Sequence, residues 1–320
     1  MKFVKFVAIG IALLCAAPAV AKDAVRVVDS QALVYDAYSL YMGKEDGIFD
    51  AENLDVSIIL GRGGSDSLQA VITGSQDIIY GTGVLAVISA ASKGAPVTIL
   101  ANAARGAGEI YWYVPKDSPI KSFKDLDGGK DLAYSTPGSV THLVVQTIAK
   151  ELNIKPKFVS VGAGAASRTQ VMSGQVATAW GPFPVGLDMI RSGEIRQIGT
   201  GAESKLLNRT TVRVTAANTN WLAKNRPVAE RFMRALWTAE EKLFSNTDAA
   251  AERFAKHWKV SADDVKQAPK YFQLERHTFT PIGNLDGLLQ MAEEYGFLKE
   301  KVSPDQVKKM ITVVYESPKK

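Results

Sequence analysis

Sulfur chemistry is what this chain most plainly lacks. It has a single cysteine, Cys15, and that residue sits in an N-terminal leader: Lys2 and Lys5 form a basic start, Phe6 to Ala17 is apolar, and Ala19-Val20-Ala21 is a small-residue cleavage site. The pattern predicts an exported protein whose residues 1–21 are a signal peptide. Cutting after Ala21 removes the only thiol, which excludes disulfides, thiolate catalysis and cysteine-bound metal from what remains. Leu14 stands where lipid attachment at Cys15 would need a small residue. The apolar run of the leader is well short of the roughly 20 residues that cross a bilayer core.

Other absences narrow the chemistry. The three histidines, His142, His257 and His277, have no partners at metal-ligand spacing, and there is no GxSxG pentapeptide. Gly162-Ala163-Gly164-Ala165-Ala166-Ser167 lacks the third glycine of a dinucleotide fingerprint, and Gly61-Arg62-Gly63-Gly64 comes no closer. No cofactor and no metal are therefore expected. The formal net charge of +5 is mild, two of those charges leave with the leader, and basic residues are scattered among acids apart from the Lys308-Lys309 and Lys319-Lys320 tail. Nucleic-acid binding is not indicated.

What is present is an internal echo. Residues 53–83 and 153–183 read as two copies of one unit offset by 100, with identities at Asn53/Asn153, Gly64/Gly164, Val71/Val171, Gly74/Gly174 and Gly81/Gly181, and similar residues at Leu54/Ile154 and Tyr80/Trp180. Each copy runs from an apolar stretch (Val56 to Leu60, Phe158 to Val161) through a glycine-rich turn into a helical stretch. Each helical stretch stops at a C-cap glycine, and a second apolar stretch follows. That is strand, turn, helix, strand, twice. Parallel strands joined this way present their carboxyl ends, where the glycine turns lie, to a ligand. A chain of 320 residues with 46% hydrophobic content suits about two such lobes, each with its own core.

Elsewhere, Ala24 to Val28, Val97 to Ala101, Glu109 to Val114, Asp131 to Tyr134 and Thr211 to Thr215 are expected strands. Ser135-Thr136-Pro137-Gly138-Ser139 turns into a helix that runs to Leu152, and a helix through Leu40 ends near Gly43 or Gly47. From Asn225 onward the sequence reads as helices. Asn225 is an expected N-cap with Pro227 in the first turn, Ser261 and Ser303 open further helices, and all are expected to pack on the first lobe.

The ordered set Gly47-Ile48-Phe49, Leu54-Asp55-Val56, Gly74-x-x-Asp77, Pro115 to Leu126, Ser135 to Ser139, Gly174-Gln175-Val176 and Tyr295-Gly296-Phe297-Leu298 resembles the periplasmic substrate-binding proteins of ABC importers for nitrate, taurine, aliphatic sulfonates and thiamine-pyrimidine precursors. The resemblance spans nearly all of the chain after the leader. It implies an α/β, type II periplasmic-binding-protein fold: two α/β lobes with a ligand cleft between them and two crossovers. The implied division is 22–114 for the first part of lobe I, 115–211 for lobe II and 212–320 for the return to lobe I, with hinge strands near 113–115 and 212–214. The implied partners are a small-molecule ligand and an ABC permease with its ATPase at the inner membrane, with the binding protein a periplasmic monomer. One departure is Ala177-Thr178-Ala179, where the family usually has Val-Asp-Ala.

Loops at the carboxyl ends of the strands would then line the cleft, which singles out Ser30, Tyr35, Tyr80, Thr82, Trp112, Ser139, Thr141, Trp180, Phe183 and Arg213 as ligand-binding residues. Gly138-Ser139-Val140-Thr141 is the best anion site, since main-chain N–H groups at a helix N-terminus and two hydroxyls favour sulfonate, carboxylate or phosphate oxygens; an ordinary N-cap is the competing reading. The aromatic residues suit a ring or bulky organic body. Arg213 and Arg105 are candidate partners for an anionic group, against the reading of each as a surface arginine. An enzyme on this fold is an alternative, but the eukaryotic relatives that make the thiamine pyrimidine carry a cysteine-rich motif for which this chain has no cysteines beyond the leader. A periplasmic sensor that informs a membrane receptor is the other alternative.

Overall fold

Apolar runs become strands and the intervening glycines become turns in the computed structural model, which describes residues 21–30, 33–61 and 63–318. Residues 1–20 of the expected signal peptide, Cys15 among them, lie outside these residues. In chain order the elements are β1 (Asp23–Asp29), α1 (Tyr38–Glu45), α2 (Ile48–Ala51), β2 (Leu54–Leu60), α3 (Gly64–Ile72), β3 (Ile78–Gly83), α4 (Val84–Ser92), β4 (Val97–Arg105), β5 (Ile110–Pro115), β6 (Asp131–Tyr134), α5 (Val140–Glu151), β7 (Lys157–Ser160), α6 (Gly164–Met172), β8 (Ala179–Pro182), α7 (Leu187–Ser192), β9 (Ile195–Thr200) and β10 (Thr211–Asn218). Six helices close the chain: α8 (Thr219–Ser245), α9 (Thr247–Trp258), α10 (Ala262–Val265), α11 (Leu274–His277), α12 (Leu285–Glu294) and α13 (Pro304–Lys309).

The first lobe is built on a five-stranded sheet of order β2-β1-β3-β10-β4, in which β1 runs parallel to β2 and β3 while β10 is antiparallel to both of its neighbours. Strands β3 and β10 are buried along their whole length, because helices cover both faces of the sheet. The second lobe holds a three-stranded sheet, β8-β5-β9, and the parallel pair β6-β7. A side chain joins these two pieces. The Thr178 hydroxyl accepts from the Ala133 N–H at 2.9 Å and donates to the Asp131 carbonyl at 3.1 Å, so the residue that departs from the family pattern stands in for a missing stretch of main-chain ladder.

The internal repeat is a structural one. Helices α3 and α6 are both nine residues long and lie 100 positions apart. Asn53 and Asn153 both take left-handed backbone, at φ 55° and 52°, and Gly74 and Gly174 follow their helices at φ 78° and 73°. The caps match bond for bond: Gly74 N–H donates to the Val71 carbonyl at 3.1 Å and Gly174 N–H to the Val171 carbonyl at 3.2 Å.

Three expectations shift. Strand β5 pairs with β8 and β9, so the passage from the first sheet to the second falls at residues 106–109, earlier than the boundary expected at Pro115. The long helix α8 starts at Thr219, capped by the Asn218 side chain, which accepts from the N–H groups of Asn220 and Trp221. It breaks at Asn225 (φ −129°, ψ 28°), two residues before Pro227, whose ring excludes a continuous ladder, so the expected N-cap marks its second segment. The C-terminal helices also serve both lobes. Phe232 of α8 stacks on Phe49 at 5.4 Å, whereas α12 docks on α5 of the second lobe, with Thr147 donating to Met291 Sδ at 3.5 Å and Lys150 paired with Glu294.

Candidate functional site

The lobes meet where the carboxyl end of β3 faces the start of α5: a Cβ added to Gly83 would lie 3.4 Å from Val140 Cγ2 and 3.8 Å from its nitrogen. At this seam the Ser135, Ser139 and Thr141 hydroxyls form a closed triangle, with oxygens 2.9, 2.8 and 3.0 Å apart. Thr141 Oγ1 also accepts from the Ser135 N–H at 2.8 Å, which fixes the triangle to the end of β6. Ser139 is the N-cap of α5 and accepts from the His142 N–H at 3.2 Å. Thr141 is buried, while Ser135 and Ser139 are part-exposed. The site therefore offers hydroxyl groups and the positive end of a twelve-residue helix to the gap between the lobes.

His142 steadies this turn. Its Nδ1 accepts from the Gly138 N–H at 3.2 Å, its ring stacks on Tyr134 at 4.2 Å, and Phe297 meets it edge-on at 4.8 Å. Burial lowers its pKa from the ordinary histidine value, which favours the neutral ring that accepts from Gly138. Beside it a groove of about 550 Å³ runs between Leu68, Ile72 and Leu85 on one wall and Pro137, His142 and Phe297 on the other.

The remaining expected ligand residues divide sharply. Trp180 is part-exposed and donates through Nε1 to the Gly162 carbonyl at 3.2 Å, which places its ring beside the N-terminal turn of α6. Ser30 is bonded by both its N–H and its hydroxyl to the Tyr80 carbonyl. Thr82 is fully buried and its hydroxyl donates to the Gly64 carbonyl at 3.4 Å. Tyr80 and Trp112 are packed in the interiors of the two sheets. The Tyr80 hydroxyl donates to Glu240 at 3.1 Å and Trp112 Nε1 to the Ala133 carbonyl at 2.7 Å, so each polar tip is satisfied inside. Tyr35 is packed among Phe244, Phe254 and Phe272. Phe183 comes from the second lobe but is buried against Tyr271 at 4.6 Å and Phe272 at 5.8 Å, in the C-terminal helical region.

Arg213, expected to meet an anionic ligand, is fully buried between two carboxylates of the chain itself, 3.1 Å from Asp36 and 2.8 Å from Glu109. Arg105 is likewise engaged, donating to the Glu275 carbonyl, the Thr278 hydroxyl and the Pro281 carbonyl. Asp36 and Glu109 escaped the sequence reading because their partner lies 177 and 104 residues along the chain, and no local pattern pairs them with it. His277 completes the cluster. Its Nδ1 lies 2.7 Å from the Ala103 carbonyl and 3.8 Å from Asp36, and burial pulls its pKa down to about 4. Among the described residues, no group of three or more His, Cys, Asp or Glu is placed to hold a metal, and no helix is long and apolar enough to cross a membrane.

A family model described as NMT1/THI5 like matches residues 35–250. Among solved structures, the alkanesulfonate-binding protein SsuA of Xanthomonas axonopodis pv. citri bound to MOPS is similar at 18% identity and a TM-score of 0.75, covering 92% of this chain and 100% of that one. The periplasmic nitrate-binding protein NrtA of Synechocystis PCC 6803 is similar at 16% identity and a TM-score of 0.68, covering 92% and 86%. The desulfurization enzyme DSZB is similar at 15% identity and a TM-score of 0.65, covering 91% and 97%. No curated protein matches the chain.

Proposed function

Because the chain belongs to the NMT1/THI5-like family, we propose that it is the solute-binding component of an ABC importer, exported by its leader to the periplasm. It takes a small organic ligand, a sulfonate, carboxylate or pyrimidine-like molecule, between its lobes, and closure about the hinge commits the ligand for delivery to a membrane permease and its ATPase. A ligand that touches both lobes stabilises the closed state by its differential affinity for it.

The observation that carries this reading is the hydroxyl triangle at the N-terminus of α5, set against Gly83 of the other lobe. An anion there would take hydroxyl hydrogens that the triangle otherwise shares among its own oxygens, at the positive end of α5 and without a counter-cation. A nucleophilic role for these hydroxyls is disfavoured by the bonding of His142, whose ring accepts from the Gly138 N–H and faces Gln146 rather than a hydroxyl.

The test is a thermal-shift screen of the leader-less protein, refolded to strip bound ligand, against sulfonates, taurine, nitrate, aromatic carboxylates and pyrimidines. Binding to the native state alone raises the melting temperature by mass action. One class is expected to give a clear shift, and Ser139→Gly to weaken its binding at least tenfold. Glycine keeps the N-cap conformation within a few tenths of a kcal/mol, so the comparison isolates the hydroxyl. Equal affinity in that variant would remove Ser139 from the site.

A further inference from the structure

The ring of His142 does more than fill space beside the hydroxyl triangle. Gly138, His142 and Gln146 are spaced four apart, so they stand in one row along α5 and the turn before it. The Gly138 N–H donates to His142 Nδ1 at 3.2 Å, and His142 Nε2 lies 2.7 Å from Gln146 Nε2. A neutral imidazole has one acceptor nitrogen and one N–H. The Gly138 N–H belongs to the main chain and cannot turn, so Nδ1 is the acceptor and Nε2 carries the hydrogen. The Gln146 carboxamide can turn, and the half-turned orientation brings its oxygen to Nε2 as the acceptor. A single chain of donation results, from Gly138 to the ring and from the ring to Gln146.

This chain of donation shapes the turn that carries Ser139. Gly138 takes left-handed backbone at φ 79°, the Ser139 N–H donates to the Thr136 carbonyl at 3.1 Å, and the His142 N–H returns to the Ser139 hydroxyl at 3.2 Å. His142 therefore holds the turn twice, by its ring and by its main chain. The ring is itself fixed between Tyr134, stacked at 4.2 Å, and the edge of Phe297 at 4.8 Å. A proton on Nδ1 would set two donors face to face, and the Gly138 N–H could withdraw only by moving the turn. The titratable or charged groups that face the ring are Tyr134 of β6, with Tyr295 and Lys93 across the groove, Lys93 donating to the Ser89 hydroxyl at 3.3 Å. On α5 itself the first charged residue is Lys150, paired with Glu294. No carboxylate is among the described residues that line the groove, and burial is the cause of the lowered His142 pKa.

We infer that His142 is the positioning residue of the anion site: as a neutral acceptor it holds the turn Pro137 to Ser139 in its binding shape, and as a cation it releases that turn, so that an oxyanion is let go in acid. This rests on the reading that the hydroxyls at the start of α5 meet an anion. It adds the residue that shapes the site and the proton that switches it off.

The experiment is calorimetric titration of the refolded, leader-less protein with benzenesulfonate, a probe that stays ionised throughout, at pH 7.5 and pH 4.5. Wild-type affinity is expected to fall at least tenfold in acid. Acid makes the whole protein more positive, which favours an anion, so the fall runs against the general charge effect. His142→Asn keeps an acceptor for the Gly138 N–H in its Oδ1 and does not titrate; it is expected to bind as wild type does at pH 7.5 and to lose the fall, although His257 and His277 still titrate. His142→Leu removes the acceptor and is expected to bind at least tenfold more weakly at pH 7.5. Wild-type affinity that holds or rises in acid overturns the switch, and a leucine variant equal to wild type overturns the positioning role while the anion site stands. No binding of the probe by wild type at either pH overturns the anion site and this role with it. Should the variants fail to fold, nitrogen NMR of the wild-type ring decides: a bare Nδ1 at pH 7.5, with the Gly138 amide signal shifting as that nitrogen is protonated, is expected, and a hydrogen on Nδ1 at pH 7.5 would sink the assignment.

Discussion

Thr178 does with a hydroxyl what a strand ordinarily does with its main chain. Its Oγ1 is the acceptor for the Ala133 N–H, a group buried where water cannot replace it. Thr178→Val keeps the shape and removes that acceptor, leaving a buried donor unpaired at a cost of about 1–3 kcal/mol. The denaturant midpoint should fall with an unchanged slope, and an unshifted midpoint would mean that the β6 edge finds another partner. His277 makes a second, pH-dependent prediction. Burial lowers its folded pKa to about 4 against an ordinary 6.5, so the unfolded chain binds the extra proton between those values, and stability is lost as pH falls through that window. The loss is on the order of 3 kcal/mol. Glu240 has the opposite slope: its folded pKa is raised, chiefly by burial, so its contribution is lost as pH rises above the ordinary carboxylate range. Comparing His277→Gln with wild type cancels the Glu240 contribution, and the variant should be less sensitive to acid between pH 6.5 and 4. Parallel stability curves would show that His277 does not titrate there.

At the scale of elements, what could be read from the sequence is what is local. The offset of 100 was visible because Asn53/Asn153 and Gly74/Gly174 occupy backbone conformations that few residues adopt, so composition records geometry there. One identity in the repeat went unread: Ser67 and Ser167 are both buried, Ser167 accepting from the Trp180 N–H at 3.0 Å and Ser67 filling the space where a Cβ on Gly61 would lie 1.8 Å from its hydroxyl. Strand β9 was missed because Ile195–Thr200 is half-exposed and polar, with no clean alternation. The lobe assignment of β5 was missed because pairing is not local: Ile110 to Tyr113 find partners at 179–182 and 195–200. The site divides the same way. Ser135, Ser139 and Thr141 lie within one turn and announced themselves. Tyr35 sits beneath Leu243, Arg213 beside Asp36, and Phe183 against Tyr271, and separations of 88 to 208 residues leave no mark in a periodicity.

For the whole molecule, the question is what holds two lobes with separate sheets in one arrangement. Besides the seam at Gly83 and Val140, contacts cross between them at other places: Phe183 and Leu187 enter an apolar cluster with Tyr35, Tyr38, Phe254 and Phe272; Arg191 pairs with Asp264; and α12 packs on α5. The first two join the second lobe to the C-terminal helices, so a parting of the lobes that carries those helices with the first lobe would break them, whereas the α12 contact could travel with the second lobe. Phe183→Ala discriminates between a lobe core and a closure contact. Truncating a phenylalanine within one core costs about 3–5 kcal/mol of stability. At a contact made only in the closed state, the loss instead appears as a shift of the open–closed population, which lowers ligand affinity by the fraction of closed protein lost. The expected result is a larger radius of gyration in solution scattering of the ligand-free variant, a smaller fall in melting temperature than core truncation would give, and recovery of the compact dimension at saturating ligand. An unchanged radius together with a full core-sized loss of stability would mean that the Phe183 loop is a permanent part of the first lobe, and that closure, if it occurs, turns about some other seam.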